Sequence, residues 1–147
     1  MTNRQWTGIL GVPAAILLAS CGGGGSGGSA EAEGPQPVRV SFEATGGSAA
    51  EGAFTLTLDG DTYAASVAID TYRGPGDYPI EIHAGTCAGG EGPLVLLVTE
   101  VEGQEGGEGQ SSGRFPASEL AGGGPFYVDI HDAQDDTAIA CADLPPL

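Results

Sequence analysis

The 147-residue chain contains no lysine, four basic side chains in all, and two histidines, His83 and His131. Nucleic acid and anionic lipid headgroups are held by clustered Lys and Arg that neutralise phosphate. Their scarcity excludes both as partners, and it leaves imidazole chemistry two residues to work with. Cysteine is equally sparse, with three in the chain. The longest apolar run, Ile9 to Ala19, is too short to span a bilayer as a stable helix. What is abundant is acid and glycine: 20 Asp and Glu, and 27 Gly, for a formal charge of −16. Such a charge keeps a protein soluble and attracts cations, and it carries no information about fold.

Residues 1–20, MTNRQWTGILGVPAAILLAS, place Arg4 before that apolar run and read as a secretory signal. The run ends in Leu18-Ala19-Ser20-Cys21, which resembles a bacterial lipobox and implies that Cys21 is acylated and heads the mature protein. Residues 21–36 then form a Gly/Ser-rich, solvated tether with no large apolar side chain, and a flexible linker is expected. The expected location is the cell envelope, on the extracytoplasmic side, with the lipid bilayer engaged through acylated Cys21. After cleavage, three arginines (Arg39, Arg73, Arg114) stand against all 20 acidic residues, a net charge of −17. Cys87 and Cys141 remain as one even pair in an oxidising compartment and are expected to be bonded. Closing the 54-residue separation of Cys87 and Cys141 stabilises a fold by roughly 4 kcal/mol in the chain-entropy description.

Residues 37–147 change in texture to short alternating apolar segments punctuated by Gly, Pro and Asp, so a single all-β domain is predicted. Eight strands are expected: Val38–Ala44, Ala53–Asp59, Thr62–Ile69, Tyr78–Ala84, Pro93–Val101, Gly113–Ala117, Pro125–His131 and Thr137–Ala142. Asp59-Gly60 between alternating runs signals a tight hairpin. The near-continuous apolar run Pro93 to Val98 reads as a strand buried on both faces, and Ser118-Glu119-Leu120 as a single helical turn. The stretch 100–113, EVEGQEGGEGQSSG, reads as a long mobile loop, and its four glutamates lack the spacing of a calcium loop. Gly109 to Gly113 matches the G-x-S-x-G pattern of a hydrolase elbow, but that elbow needs a strand before the serine and a helix after it.

Alternation along Tyr78–Ala84 directs Glu81 and His83 away from the core, and along Pro125–His131 it does the same for Asp129 and His131. Both imidazoles are therefore expected on the outer face, open to water. If the two strands are neighbours, two imidazoles and two carboxylates converge, a set that could hold Zn, Cu or Ni. The alternative is a polar outer face on which His83 only hydrogen-bonds a carboxylate.

Three segments resemble the copper/zinc superoxide dismutases and the related dismutase-like and CHRD-type domains of bacterial lipoproteins. Gly74-Pro75-Gly76-Asp77-Tyr78-Pro79-Ile80-Glu81-Ile82-His83-Ala84-Gly85-Thr86-Cys87 is similar to the strand carrying that family's His-x-His copper pair. Val128-Asp129-Ile130-His131-Asp132-Ala133-Gln134-Asp135-Asp136 is similar to the segment with its last copper histidine, and Ile139-Ala140-Cys141-Ala142-Asp143-Leu144 to its closing strand. The resemblance implies an eight-stranded Greek-key β-barrel or sandwich, a Cys87–Cys141 bridge, and Glu81, His83 and His131 at the copper-ligand positions. It also shows departures. Glu81 replaces the first histidine of the pair, and nothing matches the metal-bridging histidine or the zinc loop. Efficient dismutation is not expected from such a site, since a charge of −17 repels superoxide.

Two functions follow. The first, favoured by the sequence, is a membrane-anchored domain without catalysis or cofactor, acting in binding or as a structural module of the envelope. The second is a copper or zinc binding protein with weak dismutase activity, using Glu81, His83 and His131, with Asp129 as a further ligand. The sequence identifies no protein or small-molecule partner.

Overall fold

The computed structural model describes residues 36–71, 74–105 and 107–147. The expected signal segment 1–20, the expected lipidation site Cys21 and nearly all of the expected 21–36 linker lie outside the described residues. Among the described residues nine strands are formed: β1 (Val38–Ser41), β2 (Glu43–Ala44), β3 (Glu51–Asp59), β4 (Thr62–Thr71), β5 (Gly76–Ala84), β6 (Leu94–Gly103), β7 (Gly109–Pro116), β8 (Phe126–His131) and β9 (Ala138–Leu144). Two short 3-10 turns, Cys87–Gly89 and Ala117–Leu120, are the only helical elements among the described residues.

The strands build two antiparallel sheets, ordered β1-β3-β4-β7 and β2-β9-β8-β5-β6. Of the expected barrel or sandwich, the two separate sheets are those of a sandwich, and no closed barrel is formed. The single predicted strand Val38–Ala44 breaks at Phe42, which is buried and donates its N–H to the Gly52 carbonyl (3.0 Å), so that β1 pairs with β3 while β2 pairs with β9 in the other sheet. At the opposite edge β6 runs close to β7 without a shared ladder. Thr99 and Ser111 meet there by their hydroxyls at 2.7 Å, and a Cβ on Gly113 would overlap the Val98 carbonyl.

Period-two alternation sorts the side chains. Phe54 and Leu56 of β3, Val67 and Ile69 of β4, Tyr78, Ile80 and Ile82 of β5, and Val128 and Ile130 of β8 all point into one core and are buried. Burying each such side chain stabilises the fold by about 1.5–3 kcal/mol. The Asp59-Gly60-Asp61-Thr62 hairpin forms as expected, with Gly60 at φ 65° and Asp59 paired to Thr62.

Two local expectations fail. Pro93–Val98 is not buried on both faces: β6 is an edge strand, and Leu94 and Leu97 are 55 % and 51 % exposed. The predicted long loop 100–113 is mostly strand, with Glu100–Gly103 ending β6 and Gly109–Gly113 opening β7 against β4. Its glycines and glutamates disguise an edge-strand pair in which small residues allow close sheet approach. The G-x-S-x-G match thus lies inside a strand, and no elbow is formed.

Candidate metal centre

Strands β5 and β8 are neighbours, with Glu81 directly opposite Asp129 and His83 opposite Tyr127. Each strand carries the same tripeptide pattern, acid, isoleucine, histidine: Glu81-Ile82-His83 and Asp129-Ile130-His131. Because the strands are antiparallel and the acids face each other, the two tripeptides are related by an approximate two-fold axis normal to the sheet. Ile82 and Ile130 point to the core and are fully buried. The acids and histidines consequently project from the other face.

There the four side chains converge, with one ligand atom from each lying within 4.8 Å of all the others. His83 Nε2 is 3.2 Å from Glu81 Oε2 and 3.4 Å from Asp129 Oδ1. His131 Nε2 is 3.6 Å from Glu81 Oε2 and 3.4 Å from Asp129 Oδ2. For a tetrahedral ion with bonds of about 2.0–2.1 Å, neighbouring ligand atoms are about 3.3–3.4 Å apart. The nitrogen-to-oxygen distances are close to that spacing, with Glu81 Oε2 facing both rings and Asp129 turning Oδ1 to His83 and Oδ2 to His131.

The outer ring nitrogens are also held. His83 Nδ1 lies 2.9 Å from the Gly92 carbonyl, and His131 Nδ1 lies 2.9 Å from the Asp136 carbonyl. A carbonyl only accepts, so in each neutral ring Nδ1 carries the proton and the Nε2 lone pair faces the carboxylates. Two lone pairs aimed at two carboxylates repel unless a cation or a proton sits among them. A carbonyl that accepts from the far side of a ligating histidine's ring is the usual second layer of a metal site. Asp129 Oδ1 and His131 Nε2 are buried and make no hydrogen bond. A proton can take the cation's place. The Asp129 carboxylate beside His131, helped by the Asp136 carbonyl and the charges of Asp129 and Glu81, pushes its pKa up from 6.5 to about 9 against the opposing effect of burial.

The expectation that both imidazoles face water is corrected. They lie on the outer face of the sheet, yet His83 is 3 % and His131 5 % exposed, because two loops fold over that face. The loop after β5 returns so closely that a Cβ on Gly92 would overlap the Ala84 carbonyl. Its position is fixed by Ala84 N–H to Pro93 O at 2.9 Å and by Gly92 N–H to the Tyr127 hydroxyl at 2.9 Å. Tyr127 also stacks on His83 with ring centroids 5.2 Å apart. The sulfurs of Cys87 and Cys141 lie at bonding distance with Cα atoms 6.0 Å apart, and Cys141 is paired with Asp129 across β8 and β9. This loop is therefore tethered beside the carboxylate it covers, and Cys87 N–H donates to Asp143 Oδ1 at 2.7 Å.

The second cover is the turn after β8. Asp132 Oδ1 accepts from Gln134 N–H at 2.8 Å, Asp132 N–H donates to Thr137 O, and Asp136 adopts φ 58°. Asp tolerates that left-handed conformation better than most side chains, and it turns the Asp136 carbonyl toward His131. Glu81, His83, Asp129 and His131 are thus all brought together as the sequence allows. Gly92, Asp136 and Tyr127 are the supporting residues that spacing alone leaves unidentified. A left-handed Asp and a glycine pressed against backbone have no signature in the alternation pattern. Between the two covers a cleft of about 330 Å³ opens, with Tyr127, Asp129, His131, Glu91, Asp136 and Cys141 among its walls.

No protein-family model matches the chain. No curated protein matches it either.

Proposed function

We propose that the domain binds one divalent transition-metal ion, zinc or copper(II), through Glu81, His83, Asp129 and His131, and that it does so without efficient catalysis. The observation that carries this reading is the spacing of the four nitrogen-to-oxygen edges, 3.2–3.6 Å, combined with the carbonyl contacts that turn both Nε2 lone pairs inward. Two imidazoles suit zinc and copper, and two carboxylates neutralise a doubly charged ion. Four protein ligands in a covered position describe a closed site of the kind that holds metal rather than the open kind that activates water. Hard carboxylates also favour copper(II) over copper(I), which works against a redox cycle.

The resemblance of residues 74–144 to the copper/zinc superoxide dismutases supports assigning the sandwich to a Greek-key dismutase-like type, with Glu81 standing where that family has a copper histidine. The lipobox-like Leu18-Ala19-Ser20-Cys21 supports an acyl anchor at the extracytoplasmic side of the cell envelope. Together they favour a tethered metal-binding domain with at most weak dismutase activity.

The test is elemental analysis of the purified domain after loading with zinc or copper and removal of excess ion. About one equivalent is expected, lost in the His83→Ala/His131→Ala double variant. Less than a tenth of an equivalent in the parent protein would leave the structural-module function as the better reading.

A further inference from the structure

The four-donor site is too tight to admit a hydrated ion. Its donor atoms stand 3.2–3.6 Å apart along the nitrogen-to-oxygen edges, and both Asp129 Oδ1 and His131 Nε2 are sealed from solvent. Dehydration therefore has to happen elsewhere, along whatever path leads in. The cleft of about 330 Å³ is that place by volume and by chemistry. An ion with six waters, at about 30 Å³ of liquid volume each, needs about 180 Å³.

The base of the cleft is formed by buried Asp129 and His131, at 2 % and 5 % exposure, which are half of the metal set. Its rim carries two exposed carboxylates from the two separate covers: Glu91 from the loop after β5 and Asp136 from the turn after β8. Thr45 and Thr137 also line it, and among the described residues no arginine does. A cavity that passes from exposed carboxylates to buried, unpartnered donor atoms is arranged for a cation moving inward.

We propose that this cleft is a capture station for a hydrated divalent cation. Glu91 and Asp136 hold the ion through its waters, and it sheds them as Asp129 and His131 replace them. This inference rests on the metal-binding reading above. An acidic rim over a low-dielectric wall raises the local cation concentration and the association rate.

The experiment is stopped-flow binding of cobalt(II) to the metal-free domain, read from its visible absorbance, over a range of ionic strength. Glu91→Gln/Asp136→Asn is compared with Glu102→Gln/Glu119→Gln, which removes the same charge from exposed positions away from the cleft. Asn preserves the left-handed backbone at 136. Expected is an association rate lowered about ten-fold at low salt by the cleft pair, with dissociation changed less than about three-fold. The distal pair should shift association less than two-fold. Equal effects from both pairs, or faster dissociation without slower association, would overturn the capture station while leaving the metal site standing. Failure of the parent domain to bind cobalt at all would remove both.

Discussion

Glu81 and Asp129 face each other across the β5–β8 ladder, two carboxylates in register on the same side of a sheet. Like charges directly opposite destabilise a strand pair. Here each carboxylate instead lies 3.2–3.6 Å from the imidazole nitrogens of His83 and His131. The arrangement is stable with positive charge at its centre, supplied by a metal ion or by protonated imidazole.

Removing one donor tests this directly. Asp129→Asn keeps the shape and removes the charge, and zinc affinity should fall by at least 100-fold in competition with a chromophoric chelator. Replacing a donor outright should weaken binding more than the 10–100-fold typical of a second-layer change. Asp59→Asn, at the exposed pair with Arg114 on the other sheet, should leave affinity unchanged.

Tyr127 acts through its neighbours. Its hydroxyl accepts the Gly92 N–H at 2.9 Å, and the Gly92 carbonyl accepts from His83. Tyr127→Phe keeps the ring stacked on His83 but frees the loop, so zinc affinity should drop about 10-fold while the far-ultraviolet circular dichroism stays the same. Gly92→Ala should be worse, since its Cβ would overlap the Ala84 carbonyl, and thermal melting should show lost stability as well as weakened metal binding.

The cystine closes a separation of 54 residues. Its replacement by Cys87→Ser/Cys141→Ser should cost roughly 4 kcal/mol in the chain-entropy description. For a domain of this size that lowers Tm by on the order of 15 °C, measurable by calorimetry.

The pH dependence has a definite sign. His131 has its folded pKa raised from 6.5 to about 9, chiefly by Asp129. In the absence of added metal, this contributes stability that is fully present below about pH 6.5 and is lost as pH rises through about 9. Urea midpoints of the metal-free domain should therefore fall between those values, whereas in excess zinc the decline should be absent, because the ion displaces that proton.

Much of this site is legible in the sequence because alternation along Tyr78–Ala84 and Pro125–His131 separates Ile80, Ile82, Val128 and Ile130 from the acids and histidines. What alternation does not contain is the neighbour relation of the two strands, whose paired residues run from Ala84 with Phe126, 42 apart in the chain, to Ile80 with Ile130, 50 apart, and meet through long-range pairing. Nor does it show burial. His83 and His131 sit on the outer face, and only the returning loop at Gly92 and the turn at Asp136 make that face an interior. The loop expected at 100–113 has the same origin: Gly103 and Gly109 look like breakers but stand in ladder positions opposite Gly76 and Ile69, and Gly113 makes room for the Val98 backbone.

The most direct test of the central claim is zinc K-edge X-ray absorption on the stoichiometrically loaded domain. Expected are four nitrogen and oxygen neighbours at about 2.0 Å with the outer-shell scattering of two imidazoles. A spectrum with sulfur ligation, or with a six-oxygen shell and no imidazole signal, would contradict it.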